Sequence, residues 1–314
     1  MRYCHIDIAK GLGILAVVGL HTGFHVEAWI GWEMPLFFFL SGVFANPHKQ
    51  GFLRSKVNRL IVPLCFFYFP IFVYNILYYL MHIDSISLYD SFVNCSIPSA
   101  LWFLVALFYM SVLHIVIAKF INKHFLLLVV SIVAFSIGYL LSYWHIPQFA
   151  FINTSITSFS FYLLGNIFST EVKGICGFNP YIALLVGIIL LIGAQILYDI
   201  NDSYIFYRNN ELNAYIYIVI IVAVLGIVGV LFMSIALSYT KYMSVILSFF
   251  GKNSLIILCT HLYCWKLLQP FHFSGFLQFG IVTVSMIPII YLLRRFFPRL
   301  SGCQPLIISQ IKIE

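Results

Sequence analysis

The chain has 314 residues, of which 62% are hydrophobic and 9% are charged, and its mean hydropathy is +1.01. Soluble domains carry about a quarter charged residues, so this composition excludes a soluble protein and indicates an integral membrane protein surrounded by lipid. The net charge of +7 does not indicate nucleic-acid binding, because the basic residues are spread over short loops and form no basic face.

Ten apolar segments follow one another along the chain, and most are long enough to cross the roughly 30 Å hydrocarbon core as helices. They cover residues 6–24, 30–45, 61–81, 101–118, 125–143, 155–168, 181–198, 214–237, 253–269 and 276–293. Two of them, 30–45 and 155–168, are short for a span, so either is a candidate re-entrant or tilted segment. The predicted fold is an all-α, polytopic membrane bundle of about ten transmembrane helices. It forms one membrane domain at 1–298, followed by a short tail at 299–314.

The distribution of basic residues predicts the orientation of the bundle. If the N-terminus is cytoplasmic, all but two of the 17 Lys and Arg residues lie at the inner side. The two exceptions are Arg208 and Lys266. Short cytoplasmic loops are enriched in Lys and Arg, so this asymmetry predicts that both termini and the tail are cytoplasmic.

The first apolar segment carries two ionisable residues, Lys10 and His21. A helix advances about 1.5 Å and 100° per residue, which places His21 about 16 Å beyond Lys10 and about 20° from its face. Ionisable side chains in hydrocarbon are costly and usually line a pathway or a reaction centre. His21 is therefore a candidate functional residue. Lys10 is equally well explained as a lysine that extends to the lipid headgroups.

Several segments resemble one known family in their order and spacing. They are RYCHIDIAKGLGILAVVGLH at 2–21, MPLFFFLSG at 34–42, KVNRLIVP at 56–63, LWFL at 101–104 and GKNSLIILCTH at 251–261. The first contains a basic residue, ten further residues and a histidine. Together these segments resemble the acyltransferase-3 family of integral membrane acyltransferases, and within it the branch of sugar O-acetyltransferases.

The resemblance implies a membrane-embedded O-acyltransferase in the membrane domain at 1–298. Such an enzyme moves an acyl group, commonly acetyl, from cytoplasmic acyl-CoA (acetyl-CoA) to a hydroxyl of a saccharide or lipid-linked glycan acceptor. The expected location is a bacterial inner membrane. The alternative function is a proton-coupled transporter or exporter of a glycan or small metabolite, which would use the same polar stripe.

The expected chemistry gives three residues candidate catalytic roles. An alcohol is a poor nucleophile at neutral pH, and a positioned histidine that takes its proton supplies about 10² to 10⁴ in rate. His21 is the predicted general base, in a direct transfer or as a transient acyl carrier. His261 lies at a depth similar to that of His21, so the two could meet; its role is to assist the reaction or to form a structural hydrogen bond. Glu33 is a candidate acid partner of His21, or a carboxylate that faces water.

The donor and the acceptor have candidate residues of their own. Lys56 and Arg59, with Lys10, suit the phosphates of coenzyme A, although the loop-charge rule alone also explains cations here. Ser41, at the end of the second segment, either borders the pantetheine arm or marks close helix packing. Trp102 either stacks on a sugar or is an ordinary interfacial tryptophan.

No metal is predicted. Of the ten histidines, His21 and His25 stand at i, i+4 and could present two ligands on one helix, but no H-E-x-x-H arrangement and no partner carboxylate accompany them. The sequence also contains no Cys-x-x-Cys motif.

Overall fold

The structure is a computed structural model, which describes residues 3–24, 31–81, 100–175, 177–201 and 204–307. Its regular structure is almost entirely helical, which confirms the predicted all-α class. The helices of this part of the chain are α1 (Cys4–Thr22), α2 (Glu33–Val43), α3 (Phe52–Lys56), α4 (Val62–Met81), α5 (Trp102–Ala118), α6 (His124–Tyr143), α7 (Ile152–Ile167), α8 (Ser169–Gly174), α9 (Pro180–Ile200), α10 (Ile216–Ser238), α11 (Lys241–Lys252), α12 (Ser254–Leu268) and α13 (Gly275–Phe296).

Six helical spans of the described chain are long and apolar enough to cross a membrane, or seven if the bent pair α11 and α12 is one span. The predicted count of about ten is therefore not supported, although each predicted segment forms a helix. α2 has 11 residues and reaches only about 16 Å, roughly half of the hydrocarbon core. α7 has 16 residues, is mostly buried and contains several Ser, Thr and Asn side chains, so it is an interior helix. The cytoplasmic position of both termini stays a prediction from the loop charges.

A π-helical segment, Val57–Ile61, joins α3 to α4, so that Phe52–Met81 forms one helix of 30 residues. The chain beyond α13 returns to this segment. The Asn58 side chain accepts hydrogen bonds from the backbone N–H groups of Leu306 and Ile307 and donates one to the Ile307 carbonyl. Part of the predicted tail is thus packed against the bundle.

α1 packs against α2, α10, α11, α12 and α13. Small residues let membrane helices approach closely, and glycines do so here. A Cβ atom added to Gly251 of α11 would lie 1.8 Å from the carbonyl oxygen of Asp7 in α1. One added to Gly11 of α1 would lie 2.2 Å from the carbonyl oxygen of Leu247 in α11. Backbone contact on both helices therefore fixes α11 against α1.

The same kind of contact joins α2 to α7. A Cβ atom on Gly42 would lie 1.8 Å from the Tyr162 carbonyl oxygen, and one on Gly165 would lie 1.9 Å from the Phe39 carbonyl oxygen. α2 is thus embedded against another helix along its length, which is consistent with its being too short to span the membrane alone.

The region between α9 and α10, which lies between two of the predicted segments, contains a small antiparallel hairpin. Its strands are β1 (Tyr204–Phe206) and β2 (Glu211–Asn213), connected through a 3₁₀ turn at Tyr207–Asn209. Asn210 follows the turn with a φ of 56°, a left-handed conformation that Asn tolerates better than most residues. Its buried side chain donates to a carbonyl of α6 and accepts from a hydroxyl of α7. These bonds fix the hairpin to the bundle.

Candidate active site

His21 lies in the last turn of α1, on the same helix as Lys10, as the sequence predicted. The His21 Nδ1 atom lies 2.8 Å from the Val17 carbonyl oxygen. Because a carbonyl only accepts hydrogen bonds, Nδ1 carries the proton in this contact, and the neutral ring has a lone pair at Nε2. This is the tautomer that a general base acting through Nε2 requires.

His261 on α12 repeats this arrangement. Its Nδ1 atom lies 2.8 Å from the Ile257 carbonyl oxygen, and its side chain is fully buried. The Nε2 atom is also buried and has no hydrogen-bond partner among the described residues. The ring centroids of His21 and His261 lie 5.1 Å apart with an interplanar angle of 69°. The two side chains therefore meet across the bundle, as their similar depths predicted, and we call them the histidine pair.

A sharp bend in the chain determines how His261 approaches His21. The axes of α11 and α12 differ by 79°, and the break lies at Asn253. α11 is held against α1 by the backbone contacts at Gly11 and Gly251. Because α12 begins directly after the break, the contact between α11 and α1 also sets the position of the histidine pair.

The three predicted donor-site cations, Lys10, Lys56 and Arg59, lie near one another. Lys56 is within Coulombic range of both Lys10 and Arg59. The Lys10 Nζ atom lies 4.9 Å from the ring centroid of Phe44, a distance typical of a cation–π contact. Lys10 precedes His21 by about 16 Å along α1, so this basic cluster and the histidine pair lie at different depths of the same helix.

A cavity of about 990 Å³ is bordered by three parts of the chain: α4, the hairpin, and the end of α6 with the residues that follow it. Its lining combines amide, hydroxyl and charged side chains with several Tyr and Phe rings. Arg208 lies in the wall and is within Coulombic range of His21. A volume of this size is typical of small-molecule binding sites in proteins.

A family model described as an acyltransferase domain, acyltransferase-3, matches residues 5–295, which is nearly the whole chain. The chain belongs to the acyltransferase-3 family. It is therefore a membrane acyltransferase, and the matched residues include the histidine pair and the basic cluster. Searches among curated proteins and among solved structures give no significant match.

Glu33 of this acyltransferase is the first residue of α2. Its Oε2 atom is buried and has no hydrogen-bond partner among the described residues. It lies within electrostatic range of Tyr198 and Tyr207, beside the hairpin and the end of α9. The described structure contains no hydrogen bond between Glu33 and His21, so the acid-partner role of Glu33 stays a prediction.

Ser41 and Trp102 have local structural partners. The Ser41 hydroxyl donates to the Phe37 carbonyl of its own helix over 2.7 Å. Trp102 is 4% exposed and packs against the rings of Phe38 and Phe151. Because Phe151 lines the large cavity, Trp102 supports the wall of that cavity from behind. Contact of Ser41 with the acyl donor and of Trp102 with a sugar stay predictions.

Lys173, which was not predicted as a site residue, joins the basic cluster of the acyltransferase. Its Nζ atom lies 5.5 Å from the centroid of the same Phe44 ring that Lys10 contacts. Lys173 lies on α8, far from Lys10 in the sequence, and only the fold brings the two cations to one ring.

Two further polar side chains lie next to Lys56 in the interior. The His114 ring is 5.5 Å from the Tyr162 ring, and the Lys56 Nζ atom is 5.9 Å from the Tyr162 centroid. The His114 Nδ1 atom is buried and has no hydrogen-bond partner in the described part of the chain. A lone histidine in an apolar helix gives no sequence signal that would predict this contact.

Among the described residues, no group of three or more His, Cys, Asp or Glu side chains could hold a metal ion.

Proposed function

We propose that this acyltransferase is an O-acyltransferase that moves an acyl group, most simply acetyl, from cytoplasmic acyl-CoA to a hydroxyl of a saccharide or lipid-linked glycan. The observation that carries the proposal is the histidine pair with its two Nε2 lone pairs. An alcohol needs a base to attack a thioester at a useful rate, and a buried imidazole is a suitable base.

The histidine pair supports a direct transfer. The acceptor hydroxyl oxygen attacks the thioester carbonyl carbon, and its proton moves to His21 Nε2. The carbon–sulfur bond then breaks, the acyl group stays on the acceptor as an ester, and the departing thiolate takes the proton to give free coenzyme A. The neighbouring His261 helps to position the hydroxyl. The hydrogen bond from His21 Nδ1 to Val17 holds the ring with Nε2 available.

The basic cluster supports a separate place for the donor. Lys10, Lys56 and Arg59 would bind the phosphates of coenzyme A, and Lys173 adds a fourth cation. Guanidinium and ammonium groups are the usual protein partners of phosphate. The offset of about 16 Å between Lys10 and His21 leaves room for an extended pantetheine arm between phosphates and thioester. A bacterial inner membrane would give the enzyme acyl-CoA on one side and glycan on the other.

The proposal is tested with the purified full chain in liposomes, acetyl-CoA labelled in its acetyl group, and a bacterial extract of glycans and glycolipids as acceptor. We expect release of one coenzyme A thiol for each acetyl ester formed, with the rate of formation of both products lowered by about 10² to 10⁴ for His21→Asn. No ester formation by the wild type would reject acyl transfer to this acceptor class. Passage of unaltered labelled compound into the liposomes without thiol release would instead indicate transport.

Arg59→Ala is expected to raise the KM for acetyl-CoA about tenfold and to change kcat much less, because a hydrogen bond to a charged group contributes about 1.5–3 kcal/mol. Initial rates at varied acetyl-CoA measure both constants. Arg54→Ala is the matched control, since Arg54 is an exposed arginine nearby on α3 that is not part of the basic cluster. An unchanged KM for Arg59→Ala, or equal increases for both variants, would contradict the phosphate-binding role.

A further inference from the structure

Arg208 is held in place by its backbone. It lies in the 3₁₀ turn of the hairpin, and its carbonyl oxygen accepts hydrogen bonds from the Gln148 side chain and the Thr154 hydroxyl. Asn210, which follows the turn, is 3% exposed and hydrogen-bonded to both α6 and α7. The side chain of Arg208 therefore starts from a fixed point in the cavity wall.

Among the described residues, none forms an ion pair with the Arg208 guanidinium. Its Nε atom is buried and has no hydrogen-bond partner in this part of the chain. The Glu211 carboxylate also lines the cavity; its Oε1 atom accepts a hydrogen bond from the Asn209 side chain, and it forms no ion pair with Arg208. Burial lowers the pKa of Arg208, which shows that its surroundings disfavour the charge. Arginines that are withdrawn from water are normally paired, so this one is suited to an anion that arrives with a ligand.

Arg208 lies where an acceptor could reach both its guanidinium and His21. Arg208 and Lys266 are the two basic residues that the loop charges place on the non-cytoplasmic side, so the loop-charge rule does not account for Arg208. It lines the cavity of about 990 Å³ together with amide side chains and tyrosines. It is also close enough to His21 for its charge to act on the imidazole. An anion bound here would lie near the proposed base.

We infer that the acceptor carries an anionic group, a sugar carboxylate or a sugar phosphate, which Arg208 binds in this cavity while a hydroxyl of the same molecule reaches the histidine pair. This inference rests on the proposed O-acyltransferase function and names the acceptor class for it. The planar guanidinium fork matches both carboxylate and phosphate oxygens, and the amide side chains and tyrosines around it are suited to the remaining sugar hydroxyls.

Binding to the purified full chain tests the inference without the need for turnover. The probes are methyl glucuronide, glucose 1-phosphate and the neutral methyl glucoside. We expect the wild type to bind at least one anionic probe about tenfold or more tightly than the neutral one, and Arg208→Gln to remove that preference. The tighter anionic probe identifies carboxylate or phosphate as the preferred group. Arg208→Lys should retain part of the preference, because it keeps the charge and loses the fork.

Lys266→Gln is the matched control. It removes the other non-cytoplasmic cation, which is exposed and lines a different cavity of about 410 Å³. The inference is overturned if the wild type binds neither anionic probe, if all three probes bind equally, or if the preference survives in Arg208→Gln. Anion binding by a wild type that releases no thiol from acetyl-CoA would reject the proposed function and keep the anion site. Acyl transfer by a wild type that shows no preference for an anionic probe would keep the proposed function and reject the anion site.

Discussion

His21→Asn is expected to lower kcat for acyl transfer by about 10² to 10⁴, the range that a general base contributes. The asparagine side chain keeps an N–H group near the position of Nδ1, so the hydrogen bond to the Val17 carbonyl can persist. It has no counterpart of the Nε2 lone pair. The substitution therefore removes the base and preserves the hydrogen bond to the Val17 carbonyl. The rate of ester formation per inserted protein molecule measures the effect.

His124→Asn controls for the loss of a histidine as such, because His124 is exposed at the start of α6. Its kcat is expected to equal that of the wild type. Correct insertion of both variants is checked by protease accessibility in the membrane. If the inserted His21→Asn protein transfers acyl groups as fast as the wild type, His21 is not the base.

Gly251→Ala is expected to destabilise the protein by about 3 kcal/mol, the upper part of the range for overpacked cores. The added Cβ atom would lie 1.8 Å from the Asp7 carbonyl oxygen, and backbone atoms cannot rotate away as a flexible side chain can. α11 must then move from α1, and α12 with it, so activity should fall together with stability. Denaturant titration of the detergent-solubilised protein measures the change in unfolding free energy.

Gly280→Ala is the matched control for this prediction. Gly280 lies in α13, and a Cβ atom there would meet nothing within 4 Å. Alanine is a better helix former than glycine by about 1 kcal/mol, so this variant should be as stable as the wild type or more so. Equal stability of the Gly251→Ala and Gly280→Ala variants would contradict the tight contact between α1 and α11.

The histidine pair was accessible to sequence reasoning because helical geometry is regular. The depth of His21 in the first segment and of His261 in the ninth predicted that they could meet, and the distance of 5.1 Å between their ring centroids confirms this. The tautomers were not predictable from spacing. They depend on the side-chain rotamer that brings each Nδ1 to the carbonyl four residues earlier.

The number of spans was not predictable from the same data. Hydropathy records how apolar a segment is, and it does not show whether the helix faces lipid or other helices. The segments that form α2 and α7 were included in the count, although both were noted as short for a span and as candidate re-entrant or tilted segments. In the structure, Gly42 of α2 packs on the backbone of α7. The Ser, Thr and Asn side chains of α7 are mostly buried inside the protein.

The cavity of about 990 Å³ was visible in the sequence only through one unusual charge. Arg208 appeared as an exception to the loop-charge asymmetry and had no structural context. The strands that hold it have three residues each, too few for an alternating pattern to be recognised. Lys173 was hidden for a different reason, because its contact with Phe44 joins two helices that are distant in the sequence.

If His21 and His261 form one reaction centre, as proposed, this will be visible in the kcat of the double variant His21→Asn/His261→Asn. Residues that act as a unit give non-additive losses. Each single variant should lose activity, and the double variant should be within about threefold of the slower single variant, allowing for the usual scatter in such comparisons. Losses that multiply, or a His261→Asn variant with wild-type kcat, would contradict the claim.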